Sequence, residues 1–177
     1  MTTELQFDQI TATCRKIFVK KAQDYGTSWR IMRPETVTDQ IYIKANRIRS
    51  IEGGNAPEIN EGPVAEFIGI INYAVMGLIQ LQKGFADTPD LSADEAVELY
   101  DLQIKNARDL MLKKNHDYGE AWKQMRVSSI TDLILVKLNR IKQIEDNQGT
   151  TVVSEGIDAG YFDIINYAVF NMIKLTL

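Results

Sequence analysis

The sequence predicts an all-α protein of two tandem three-helix repeats, packed about a pseudo-twofold axis into a helical bundle. Three observations carry this expectation. The first is internal repetition. Residues 20–33 read KKAQDYGTSWRIMR and residues 113–126 read KKNHDYGEAWKQMR. Lys44, Asn46, Arg47, Ile48 and Glu52 recur as Lys137, Asn139, Arg140, Ile141 and Glu145. After a one-residue insertion, Glu61-Gly62 recurs as Glu155-Gly156, and IINYAV at 70–75 recurs at 164–169. The second is helical spacing of apolar residues, as in Leu5, Ile10, Cys14, Ile17 and Phe18. The third is punctuation by Gly and Pro between such stretches. A repeat of about 70 residues buries little by itself, so the two copies are expected to share one core and to imitate a homodimer within the chain.

The elements follow in order. The first helix stops at Gly26. Thr36 with Asp39 has capping-box spacing and is expected to open a second helix that stops at Gly53-Gly54. Pro63 sits in the first turn of a third helix running to about Gln82. The stretch KGFADTPDL carries breakers at Gly84 and Pro89, which gives a first repeat over 1–83, a linker over 84–91 and a second repeat over 92–177. Ser92 with Glu95 is a second capping box, opening a helix to about Asn115. Ser129 with Asp132 occupies the register of Thr36 with Asp39 and opens the next. Segment 147–153 reads as loop, and a last helix covers 155–175.

Composition narrows the function classes. The 177 residues are 45% hydrophobic and 25% charged, as in an ordinary globular protein. A net charge of −4 and a pI near 5.1 give no global field for nucleic acid or an anionic membrane. The start of the chain, with Glu4 and Asp8, does not read as a signal peptide, and the apolar stretch 67–81 is short for a bilayer span. Cytoplasm is the expected compartment. The single Cys14 rules out an internal disulfide and a cysteine-based zinc site.

The repeated polar identities point to chemistry beyond packing. Asp24 and Asp117 stand at helix C-termini, where the dipole disfavours a carboxylate, so a nearby cation or a metal ion is expected beside each. Lys114 and Tyr118 flank Asp117, and Gly119 is expected to take a left-handed cap conformation. Lys137 and Arg140, like Lys44 and Arg47, share a helix face. Turned inward they suit phosphate oxygens, and turned outward they form a solvated face. Asp163 lies in an apolar stretch where the first copy has Gly69, so packing alone does not demand it. That makes it the leading candidate for a functional acid. Trp29 and Trp122 read either as core or as stacking surfaces for a base. His116 has Gln23 as its counterpart and reads as a surface residue.

The pattern K-x-x-D-Y-G…W, K-x-N-R-I and E-G…D-I-I-N-Y-A resembles the family known as domain of unknown function 1599, also called a nucleotide-modification-associated domain. More distantly, the layout is similar to the all-α MazG and dimeric dUTPase group of nucleoside triphosphate pyrophosphohydrolases. That resemblance implies a helical fold and Mg²⁺ (or Mn²⁺) held by carboxylates, with cleavage of a nucleoside di- or triphosphate. It implies metal ligation by Glu155, Asp163 and Glu145, with Asp117 and Asp163 as catalytic acids. Phosphates would sit on Lys137 and Arg140, with Lys44 and Arg47 contributed by the first copy and the base near Trp122; Lys114 and Tyr118 complete the expected substrate-binding set. The usual E-x-x-E motif of that group is absent, since the matching helix carries Asp132, Lys137, Arg140 and Glu145. A nucleotide-binding module without catalysis, and a structural or protein-interaction domain, are the alternatives. The expected partner is a nucleotide, with no nucleic acid and no membrane, and further self-association is left open.

Overall fold

The computed structural model describes residues 1–59 and 62–177; Glu61 of the repeated Glu-Gly pair lies outside them. Among the described residues the regular structure is six α-helices and two short 3-10 turns: α1 (Thr3–Tyr25), α2 (Pro34–Glu52), α3 (Pro63–Lys83), α4 (Ala93–Tyr118), α5 (Val127–Asp146) and α6 (Ile157–Thr176). The two turns, Ser28–Ile31 and Ala121–Gln124, occupy the same place in each repeat. The chain is therefore all-α and duplicated, three helices per copy.

Local chemistry sets most boundaries. Ser92 and Glu95 form a reciprocal capping box at the start of α4. That helix runs one turn beyond the expected Asn115 and ends at Gly119, whose φ of 59° is left-handed. The two other expected boxes are not caps. Helix α2 starts at Pro34, before Thr36, and α5 starts at Val127, before Ser129. Proline at the first helical position has its φ preset and lacks the donor that a cap would satisfy.

Helices α3 and α6 form the centre. They pack on each other, α2 and α5 pack on them and on each other, and α1 and α4 pair across the remaining side. Helix α3 is, at 21 residues, long and apolar enough by composition to cross a membrane, longer than the apolar stretch 67–81 suggested. Here it is the core helix, and it buries Glu66, Asn72 and Gln80 along with its apolar residues.

The twofold relation is written in reciprocal pairs. Arg15 of α1 holds Asp101 of α4 at 2.8 Å, and Arg108 of α4 holds Asp8 of α1 at 2.7 Å. Arg49 of α2 reaches Asp132 of α5, and Lys142 of α5 reaches Asp39 of α2. The Thr38 hydroxyl of α2 donates to Glu145 of α5 at 2.9 Å, while Thr131 of α5 donates to Glu52 of α2 at 3.0 Å. Each pair links equivalent positions in the opposite sense, as in a symmetric dimer. The exposed ion pairs add little energy each; their arrangement defines the symmetry.

Behind the threonines the copies solve one packing problem in two ways. In one, the Tyr161 hydroxyl bonds Thr38 and the Pro34 carbonyl, and its ring lies 2.9 Å from where a Cβ on Gly77 would stand. In the other, Asn171 takes the position of Gly77, Phe67 takes that of Tyr161, and the Asn171 amide donates to Thr131 and the Val127 carbonyl. A polar group is supplied to each threonine from a different helical position, and the missing Cβ of Gly77 makes room for the larger ring.

Burial of this interface has a pH consequence. It pushes the Glu145 carboxyl up to about 7, against the lowering by Thr38, with Glu35, Asp39 and Asp146 adding to the rise. The folded protein then keeps a proton that the unfolded chain releases near the ordinary 4.5. The resulting stabilisation is complete below that value and is lost as pH rises through about 7. Replacing Glu145 by Gln should remove this loss. The Tm advantage of the variant over wild type is expected to grow by about 2–4 °C between pH of about 5 and about 8. This corresponds to on the order of 1 kcal/mol once solvent screening of a half-exposed carboxyl is allowed for. A constant difference across that range would place the proton elsewhere.

Candidate functional site: one lysine pair, two environments

The repeated lysines meet different surroundings in the two copies. In the second, Asp163 of α6 is buried, with its side chain 7% exposed. Its Oδ1 accepts from Lys114 of α4 at 2.7 Å and its Oδ2 is 2.9 Å from the ammonium of Lys137 of α5. Burial alone would lower the Lys114 pKa; the Asp163 bond and charge outweigh it, and the net shift is upward. A carboxylate bridging two ammoniums is how a buried charge becomes tolerable in an apolar helix.

In the first copy the matching lysines are Lys21 and Lys44, and the matching position on α3 is Gly69. The acid here is Glu66, one turn earlier. Glu66 binds Arg47 at 2.6 Å and lies 3.5 Å from Lys44. The Lys44 side chain lies across Gly69, where a Cβ would stand 2.8 Å from Lys44 Cε. Lys21 is exposed and has no ion-pair or hydrogen-bond partner among the described residues.

Both lysines line a cavity of about 310 Å³ that opens between α1 and α3. Phe18, Trp29, Tyr25 and Tyr73 wall it, Met76 and Ile68 add apolar surface, and Glu66 and Asn72 bring polar atoms. Trp29 packs against Phe18 with ring centroids 6.3 Å apart, and Phe18 stacks on Tyr100 at 4.4 Å. Phe18 and Trp29 thus anchor one side of the wall in the core, while Tyr25 is exposed at its edge. The Lys44 ammonium sits 5.8 Å from the Tyr73 ring centroid. A volume of this size with mostly apolar walls and a few convergent charges suits a small organic anion.

The residues singled out in the sequence scatter over several places. Lys114, Lys137 and Asp163 come together as described. Lys137, Arg140 and Glu155 line a second, more open cleft of about 630 Å³ beneath the segment 147–156, where Val152 and Val153 are almost fully exposed. Arg140 forms no ion pair there among the described residues, whereas its counterpart Arg47 holds Glu66. Glu145 belongs to the α2–α5 interface with Thr38. Asp117 and Tyr118 are exposed at the end of α4, and Asp117 has only the neighbouring His116 imidazole, at 3.2 Å. Asp24 is also exposed, and among the described residues no lysine or arginine pairs with either acid. Trp122 is buried and stacks flat on Phe170 at 4.3 Å.

Among the described residues no three His, Cys, Asp or Glu side chains gather as metal ligands. Both Asp163 oxygens are engaged by lysines, and Glu145 is engaged by Thr38. Glu155, Asp163 and Glu145 do not gather as a donor set for a magnesium ion in this arrangement. Lys21, Tyr25, Tyr73 and Phe18 are not among the site residues expected from the sequence. The signal for them was the displacement of the acid by one turn, from Glu66 in one copy to Asp163 in the other.

Fold and site together define a duplicated all-α protein whose copies keep one lysine pair in two different environments. The chain belongs to the family described as nucleotide modification associated domain 1, which matches residues 21–81 and again 114–175. No curated protein and no solved structure matches it.

Proposed function

We propose that this protein is a nucleotide-binding module that takes its ligand in the first-repeat cavity. The observation that carries the reading is the pairing of Lys21 and Lys44 with an aromatic wall in a cavity where the second copy's neutralising carboxylate is missing. Phosphate oxygens would meet the ammonium groups, as point charges rather than as a fork. The base would lie against Tyr25, Tyr73 and Trp29, where stacking and apolar contact are favourable. The family's description, with its reference to nucleotides, supports the same ligand class. Hydrolysis is not part of this reading: of the acids expected to hold a metal, Asp163 is held by two lysines and Glu145 by Thr38.

A thermal-denaturation panel of nucleoside mono-, di- and triphosphates tests it. A ligand at a hundredfold excess over its Kd should stabilise by about 2.7 kcal/mol, or roughly 5–10 °C in Tm. Free phosphate and pyrophosphate would be assayed in the same samples. No shift with any nucleotide would sink the reading, and release of phosphate or pyrophosphate would return it to the hydrolase class.

A further inference from the structure

In the second repeat the anion is already present, as part of the chain. Asp163 sits on α6 at the register of Gly69 on α3, and its two oxygens meet Lys114 and Lys137, the counterparts of Lys21 and Lys44. In the first repeat the lysines line an open cavity and Gly69 presents no side chain. Among the described residues the acid that lines this cavity is Glu66, and it is held more closely by Arg47 than by Lys44. Two lysines that line one cavity favour an anion between them.

We infer that the Asp163 carboxylate stands where a ligand's oxyanion goes: the second repeat is a self-occupied copy of the site, and the first repeat binds one phosphate group between Lys21 and Lys44. This inference rests on the nucleotide reading for the rest of the ligand, but the anion position stands on the comparison of the copies alone. It follows that each chain binds a single ligand although it carries two copies of the motif. It also follows that the aspartate acts as a plug.

The plug can be moved. The atoms nearest to a Cβ at Gly69 are the flexible far end of the Lys44 side chain, and Lys137 already accommodates an aspartate at the same register, so Gly69→Asp should fold. The variant is expected to keep or raise its Tm and to lose at least about 30-fold in affinity for pyrophosphate and for any nucleotide the wild type binds. Conversely, Asp163→Gly should be less stable, regain several degrees of Tm in millimolar phosphate, and bind a second equivalent of pyrophosphate. Calorimetric titration of wild type and both variants with pyrophosphate and with the nucleotide panel reads all of this. A folded Gly69→Asp protein with wild-type affinity overturns the inference and leaves the nucleotide reading intact. Pyrophosphate binding that the aspartate abolishes, with no nucleotide bound by wild type, overturns the nucleotide reading and leaves the inference intact. If wild type binds neither probe, both fail. If Asp163→Gly does not fold, Gly69→Asp decides.

Discussion

Arg30→Ala is expected to destabilise the protein by about 3–4 kcal/mol and to lower its Tm by roughly 10 °C. Arg30 lies in the first 3-10 turn and is only 2% exposed, which is rare for a guanidinium. Its Nε donates to Asp90 at 2.8 Å, and its Nη1 donates to the Gly84 carbonyl at 2.7 Å and to the Gln80 side chain. Its own carbonyl accepts from the Ala86 amide at 2.9 Å. The linker between the repeats is thus wrapped around one side chain, and Thr27 adds a bond to the Leu91 carbonyl at the far end. Truncation leaves Gln80 and the Gly84 carbonyl without a donor in a dry place and opens a large void. Lysine, found at the matching position as Lys123, carries charge but no fork, so Arg30→Lys should recover about half of the loss. Chemical denaturation of the three proteins reads the series. A loss under about 1 kcal/mol for the alanine variant would mean that the linker does not depend on this clamp.

Lys44→Ala should lower nucleotide affinity about 10- to 100-fold with little change in Tm, because a charge-assisted hydrogen bond is worth about 1.5–3 kcal/mol. The fold does not depend on Lys44: Glu66 keeps Arg47 as its closer partner at 2.6 Å, and the lysine stem lies beside a glycine. Lys137→Ala should do the opposite. Asp163 is buried and would lose one of its two cations, which costs about 2 kcal/mol, while ligand affinity stays at the wild-type value. Two lysines at the same register would then separate cleanly, one acting in binding and one in folding. Equal effects on affinity would mean that the copies are equivalent and that the open cavity has no special role.

Much of the fold is legible in the sequence because it is carried by local patterns. The duplication, the Ser92–Glu95 cap and the glycine stops after α1 and α4 each depend on a few neighbouring residues. The caps at Thr36 and Ser129 misled because capping-box spacing also occurs inside a helix that starts earlier, at Pro34 in one copy and at Val127 in the other. The site was harder. An acid in an apolar helix, with glycine at the matching position of the other copy, reads as a candidate functional group. The sequence lists both acids and both lysine pairs but not which lysine reaches which acid. That depends on how α1, α2 and α3 meet in space, and their second-copy equivalents likewise. With the helices in place, the extra acid of the second repeat fills and neutralises its site, and the simpler first repeat is the copy left open.

The most direct test of the account is the structure of the protein crystallised with a nucleotide that stabilises it. One ligand per chain is expected, its phosphate between Lys21 and Lys44 beside Gly69 and its base against the aromatic wall of Tyr25, Tyr73 and Trp29. A nucleotide seated instead in the cleft beneath 147–156, against Arg140, or displacing Asp163 from its lysines, would contradict it.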